Sequence, residues 1–213
     1  LTSISGFAET LLDDDFRDPD ASHHFAGIIY REAQRMSRLM KSLLQLARLS
    51  DETCRQQLVQ VPVDLAAVAR QEGEALRKAA ETKGQQLHFA VPETPLWLRA
   101  TPELCGQIVH NLIENAIKYT PEGGTITVRA AGNDASVSLQ VEDNGIGIAA
   151  ADLPRIFDRF YRVDKARARK SGGNGIGLSL VKFLVELFGG QIQATSELGR
   201  GTRFTLTFPR CQE

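Results

Sequence analysis

The sequence carries no excess of either charge: 25 lysines and arginines face 26 aspartates and glutamates, for a formal net charge of −1. Without a basic surplus, nothing advertises a nucleic-acid or anionic-membrane partner. Cysteine is scarce as well. Cys54, Cys105 and Cys211 lie far apart with no paired short spacing, which argues against a zinc site or a disulfide framework and fits a reducing, cytosolic setting. No apolar run approaches the ~20 residues needed to cross a bilayer, and no charged, then apolar, then small-residue leader opens the chain. Beginning at Leu1 rather than methionine, the sequence reads as a fragment of something longer. What is present is 213 residues, 42% hydrophobic and 24% charged, the balance of a globular chain of one or two domains with a buried core.

Two glycine runs stand out. Asp143-Asn144-Gly145-Ile146-Gly147 closes a strand-like stretch, and Gly173-Asn174-Gly175-Ile176-Gly177-Leu178 opens an apolar helical one. The first places a carboxylate, able to accept from a planar amino group, beside glycines that let a flat ring approach the backbone. The second sets bare N–H groups before a helix N-terminus, where phosphate is favoured. Either run alone is also an ordinary turn former. Between Pro102 and Tyr119 a third signal appears: Asn111 and Asn115 lie one helical turn apart, with Lys118 and Tyr119 just beyond on the same stripe. Val109, Leu112, Ile113, Ala116 and Ile117 occupy the opposite face and read as core. Asparagine is a poor helix former, so two in register ask for a reason. An amide oxygen can ligate a hard cation that also holds phosphate oxygens, and a nearby lysine can balance their charge.

The rest of the chain supplies context. Residues 1–50 read as two antiparallel helices, Ile4 to Leu12 and then a long amphipathic one with Phe25, Ile28, Ile29, Met36, Leu39, Leu43, Leu44 and Ala47 at spacings of three and four, joined by a turn from Asp13 to Asp20. Such a hairpin cannot bury both apolar stripes alone, so a four-helix bundle made by two chains is its natural completion, with packing onto its own globular domain as the alternative. Residues 51–60 read as a linker and 61–210 as a second domain, with 211–213 a tail. The second domain shows a helix from Leu65 to Lys83, strands near Leu87 to Val91 and Leu96 to Ala100, the asparagine helix, and a hairpin of Thr125 to Ala130 with Ser136 to Glu142. A helix from Leu178 to Phe188 and strands Gln191 to Ser196 and Thr202 to Phe208 complete it. The fold class expected is α+β: a helical hairpin followed by an α/β sandwich whose mixed sheet is covered by helices on one face.

Asn111-Leu112-Ile113-Glu114-Asn115-Ala116-Ile117-Lys118-Tyr119, the Asp143 to Gly147 run, Phe157-Asp158-Arg159-Phe160-Tyr161-Arg162, the Gly173 to Leu178 run and Gly199-Arg200-Gly201-Thr202 together resemble, in order and spacing, the N, G1, F, G2 and final glycine boxes of bacterial sensor histidine kinases. Leu1-Thr2-Ser3-Ile4-Ser5-Gly6-Phe7 is similar to the sequence following that family's phosphoacceptor box, His-Glu-Leu-Arg-Thr-Pro, which implies an acceptor histidine just ahead of Leu1. The resemblance implies ATP and Mg²⁺ as ligands. Asp143 would accept from the adenine amino group, Asn115 would ligate Mg²⁺, and Asn111, Lys118 and Tyr119 would line the phosphate and ribose side. Gly145, Gly147, Gly173, Gly175 and Gly177 would let backbone approach ATP, Arg162 and Arg159 would reach the phosphates, and Thr202 would sit near the adenine end with Ile148 and Leu178 as apolar wall. Val163 to Gly172 would be a mobile lid. The resemblance further implies a homodimer, a response-regulator partner, and the cytoplasmic portion of a membrane-anchored bacterial protein.

The resemblance implies phosphorylation of a histidine and relay to an aspartate of a response regulator. An ATPase of the same fold is disfavoured by Asn111, because an amide cannot serve as the base that a glutamate supplies in such enzymes. A nucleotide-sensing scaffold that binds ATP and a partner without chemistry stays open. Thr101 followed by Pro102 is expected to cap the asparagine helix where the family has aspartate. His23, His24, His88 and His110 read as surface or core histidines.

Overall fold

The computed structural model describes residues 2–13, 18–163 and 175–213. The expected lid, together with Gly173 and part of the turn after Asp13, lies outside these apart from Val163.

Helix α1 (Thr2–Leu12) packs against the long α2 (Pro19–Ser50), with Phe7 stacked on Phe25 at 5.0 Å between ring centroids. Asp18 caps α2 by accepting from the Asp20 and Ala21 amides, and Pro19, which has no N–H to satisfy, occupies the first turn. The segment expected to be a linker holds a short helix, α3 (Glu52–Gln56), capped by Asp51. Beyond it come β1 (Val61–Asp64), α4 (Leu65–Thr82), β2 (Gln86–Ala90), β3 (Trp97–Ala100) and α5 (Pro102–Tyr119). The chain continues through β4 (Thr125–Gly132), β5 (Ser136–Asp143), a 3-10 turn at Leu153–Arg155, α6 (Gly177–Leu187), β6 (Gln191–Glu197) and β7 (Gly201–Pro209).

A small sheet pairs β1 with β3, and the main sheet runs β2-β4-β5-β7-β6, parallel between β2 and β4 and antiparallel elsewhere. Strict alternation along β5 turns Val137, Leu139, Val141 and Asp143 inward, and along β7 it turns Thr202, Phe204, Leu206 and Phe208 the same way. Helices α4, α5 and α6 pack in turn against this apolar side, where α5 contributes Ile108, Val109, Leu112, Ile113, Ala116 and Ile117. The other side is polar. Glu142 accepts from both Arg129 and Arg203 there, and the Arg203 hydrogen bond above all holds the Glu142 carboxyl below its ordinary value.

Two expectations need correction. No strand was expected at Val61–Asp64, a four-residue segment whose proline masks a strand signal, yet it forms because β3 offers it an antiparallel edge. Thr101 stands at the N-cap of α5 but makes no side-chain cap; its hydroxyl turns away and donates to the Val59 carbonyl at 3.2 Å. The helix starts there on Pro102 and Glu103, which suit a first turn through fixed φ and negative charge.

Since Leu112 is 1% exposed at the middle of α5, Leu112→Ala should lower stability by about 2–5 kcal/mol through lost burial and a residual cavity. Urea unfolding should show a reduced midpoint at unchanged slope.

Candidate nucleotide site

One rung of the main sheet organises the site. Ile126, Asp143, Thr202 and Ser196 are successive register partners across β4, β5, β7 and β6. Three apolar residues precede Asp143 on the inward face of β5, so at the strand end a carboxyl group takes a position that would otherwise belong to the core. Only 9% of Asp143 is exposed. Burial pushes its carboxyl above the ordinary value of 3.8, offset in part by backbone N–H groups of Gly145 and Thr202, while neighbouring Glu142 adds to the rise. The Gly145 amide donates to Asp143 Oδ1 at 2.8 Å.

The loop after Asp143 is threaded between two other elements. Ile146 N–H donates to the Tyr119 carbonyl at the end of α5 (3.2 Å), and Gly199 N–H donates to the Ile146 carbonyl from the β6–β7 turn (2.8 Å). Gly147 lies at φ +66°, and a Cβ there would strike the Glu197 carbonyl; one on Gly201, at φ +117°, would strike the carbonyl of Asp143. Both positions therefore demand glycine sterically as well as conformationally. Asn144 serves the frame, accepting from Thr125 N–H at 2.7 Å. Ile148 N–H donates to Ser196 Oγ at 2.8 Å.

Helix α5 brings its polar stripe to the same region. Asn111 and Asn115 are half-buried, Glu114 is exposed, and Lys118 Nζ sits 5.0 Å from the centroid of the Tyr119 ring. Burial raises the Tyr119 hydroxyl above its ordinary value, and the charge of Arg162 works against that rise, which puts Arg162 within electrostatic reach of Tyr119. Asn111 Nδ2 donates to the Gln107 carbonyl at 2.7 Å, and Asn111 Oδ1 lies 3.3 Å from where a Gly177 Cβ would stand. The first turn of α6 thus abuts the asparagine helix at Gly177, followed by half-buried Leu178. Phe160, at φ +64°, is joined to Gly175 by an N–H to carbonyl bond of 2.8 Å.

Contacts at the sheet end therefore join Asp143 to Gly145 and Thr202, join Thr202 to Ile148 through Ser196, and set Gly147 against Glu197; a separate contact joins Asn111 to Gly177, and Tyr119 is linked to both Lys118 and Arg162. Arg159 is exposed, and Gly173 falls outside the described residues. Sequence reasoning missed Ser196, which looks like any strand serine, and the steric role of Gly201, signalled only by its alternation with Gly199.

Residues 100–212 match the family described as Histidine kinase-, DNA gyrase B-, and HSP90-like ATPase, and residues 1–52 match the His Kinase A (phospho-acceptor) domain. The chain belongs to the histidine kinase family. It is 34% identical to the sensor histidine kinase WalK of Bacillus subtilis, covering 100% of this chain and 35% of WalK. With the sensor protein SrrB of Staphylococcus aureus it shares 32%, over 99% of this chain and 36% of SrrB. It thus spans about a third of the length of these relatives. Among solved structures, full-length ShkA in complex with AMPPNP superposes with a TM-score of 0.74 at 27% identity, over 100% of this chain and 44% of that one. The histidine kinase ThkA, solved with the response regulator protein TrrA, gives a TM-score of 0.78 at 22% identity, over 99% of this chain and 57% of that one, a likeness of fold. The α+β architecture of this histidine kinase core, and its ATP-binding type, accord with these matches.

Asp143→Asn should separate the cost of the buried carboxylate from its use. A group whose folded value is raised destabilises the fold in its charged form, so the penalty is complete above the raised value and disappears as pH falls below 3.8. The asparagine variant should melt at or above the wild-type temperature at neutral pH, with the gap closing in acid. Thermal melts of both proteins between acid and neutral pH check this; a variant that loses ground as pH rises contradicts it.

Proposed function

We propose that this chain binds Mg-ATP at the Asp143 rung and serves as the kinase core that phosphorylates a histidine of the helical hairpin domain, for relay to an aspartate of a response regulator. The observation that carries it is a carboxylate only 9% exposed at the end of β5, on a loop tied to the last turn of the helix that bears half-buried Asn111 and Asn115, with Asn111 against Gly177 at the start of α6. Asp143 accepts from the adenine amino group, with Thr202, Ile148 and Leu178 beside the base. Lys118 and Tyr119 line the phosphate and ribose side, and Arg162 and Arg159 reach the phosphates. Gly145, Gly147, Gly175 and Gly177 admit the nucleotide to the backbone. Among the described residues no cluster of three His, Cys, Asp or Glu side chains is gathered. A cation here fits the amide oxygen of Asn115 together with phosphate oxygens, the mixed coordination that Mg²⁺ favours.

Transfer rather than hydrolysis is supported by chemistry at two positions. Asn111 cannot accept a proton from water, and Glu114, one residue short of Asn115, points to solvent on α5. Positioning and charge alone can carry phosphoryl transfer without a water base. The geometry also speaks about the acceptor. His23 and His24 are exposed near the start of α2, whereas the second domain meets α2 at Gln45, Leu46 and Leu49. At 1.5 Å per residue those points stand about 33 Å apart along the helix.

The 213-residue chain should therefore bind Mg-ATP yet take no acid-labile label from γ-labelled ATP on His23 or His24, and should acquire it when a His-Glu-Leu-Arg-Thr-Pro segment is joined ahead of Leu1. Label on His23 or His24 sinks this assignment. ATP binding without label in the extended chain favours the scaffold reading.

The hairpin supports a homodimer. Met36, Met40 and Leu44 are exposed one turn apart on α2, with Met40 at 59% and Leu44 at 55%, an apolar stripe wanting a partner helix. The full chain should sediment as a dimer and residues 61–213 as a monomer; a dimeric 61–213 fragment moves the interface to the second domain.

A further inference from the structure

Ser196 is assigned no part in the reading above, yet its hydroxyl is the meeting point of three groups at the edge of the Asp143 rung. The Ile148 backbone N–H donates to Ser196 Oγ at 2.8 Å, the Gly201 carbonyl oxygen lies 2.7 Å from it, and Thr202 Oγ1 lies 2.9 Å from it. A carbonyl oxygen only accepts, so the single Ser196 proton is committed to Gly201. The contact with Thr202 then requires the Thr202 proton. Ser196 is thereby saturated, with one proton given and two accepted, and Thr202 Oγ1 keeps only lone pairs for anything beyond it.

We infer that Ser196 is a positioning residue that fixes the polarity of the Thr202 hydroxyl, so that Thr202 and its cross-strand partner Asp143 present acceptors side by side to the bound base. The inference rests on the nucleotide reading above and deepens it to a specificity. Thr202 and Asp143 are register partners on one face of adjacent strands, which puts their side chains next to each other. An ionised carboxylate is acceptor-only, and so is a threonine oxygen whose proton is held by serine. Two acceptors together suit the exocyclic amino group of a 6-aminopurine. They repel the carbonyl oxygen of a 6-oxopurine, which has no proton to offer there and leaves the site's buried groups unpaired. If Ser196 lost its oxygen, the Thr202 proton would be free to rotate toward the base and donate to such a carbonyl.

The experiment is calorimetric binding of ATP and of ITP, which differ at the 6-position and N1, to the 213-residue chain with Mg²⁺. Wild type should prefer ATP. Ser196→Ala should weaken ATP binding about tenfold while ITP loses less, so the ATP:ITP affinity ratio falls. Ser196→Thr, which keeps the hydroxyl, should restore the ratio. If Ser196 merely pins strands together, its removal weakens both nucleotides alike, and an unchanged ratio overturns the inference. Should Ser196→Ala fail to fold, Thr202→Val removes the acceptor while leaving Ser196 bonded to Ile148 and Gly201; the ratio should fall there too, and an unchanged ratio again overturns it. A wild-type chain that binds neither nucleotide refutes the nucleotide reading itself and this inference with it, whereas wild-type ATP binding with unaltered ratios in both variants refutes this inference alone.

Discussion

A carboxylate set at an inward position of a sheet costs desolvation, and much of the site is what keeps that group hydrogen-bonded. Asp143 follows Val137, Leu139 and Val141 along the apolar side of β5, and burial alone drives its carboxyl toward the neutral form. The opposing contributions come from backbone N–H groups of Gly145 and Thr202. Delivering the first requires the chain to fold back at Gly145; delivering the second requires β7 to begin at Gly201, where the carbonyl of Asp143 leaves no room for a side chain. The glycines are thus consequences of a buried charge as much as accommodations for a ligand.

The same constraint reaches α5 through its last carbonyls. Tyr119 accepts from Ile146, so the loop after Asp143 is only as well placed as the end of that helix. Gln85, 5% exposed, donates from Nε2 to the carbonyls of Ile117 and Thr120, and Lys83 Nζ donates to that of Ile117 at 2.8 Å. An amide and an ammonium group at a helix C-terminus satisfy carbonyls that have no partner within the helix and suit the sign of its dipole. The turn between α4 and β2, far from the glycine runs in sequence, therefore holds the helix end that carries Lys118 and Tyr119.

Features that depend on local pattern were legible in the sequence; those that depend on a side chain's choice of partner were not. Alternation in β5 and β7 and the core stripe Val109, Leu112, Ile113, Ala116 and Ile117 follow from periodicity, which burial enforces over many residues at once. Strand β1 escaped because four residues with a proline carry no period of their own and are fixed by pairing with β3. Thr101 misled because residue type at an N-cap does not fix the orientation of the side chain: in this fold the hydroxyl is aimed at the Val59 carbonyl, to which it donates, and makes no cap bond with the helix amides. Ser196 had no signal, since its meaning lies in the loop carbonyl and amide that converge on it from Gly201 and Ile148.

The seam between hairpin and second domain obeys a different logic from the site. Leu46 and Leu49 on the last turns of α2 are 2% and 6% exposed and join the core cluster of the second domain, while Gln45 and Gln107 exchange reciprocal amide hydrogen bonds from α2 to α5. Two leucines buried there contribute roughly 1.5–3 kcal/mol each, and a neutral amide pair adds only about 1 kcal/mol per bond after its water is given up. A contact of that size holds one arrangement without making it obligatory, in contrast to the interlocked backbone bonds around Asp143. Gln107 also accepts from Asn111 through its backbone carbonyl, so the residue that touches the hairpin and the residue nearest Gly177 occupy consecutive turns of one helix. Any force on the hairpin that disturbs Gln45 is therefore applied one turn away from the candidate phosphate side, through rigid helical backbone rather than through a loop.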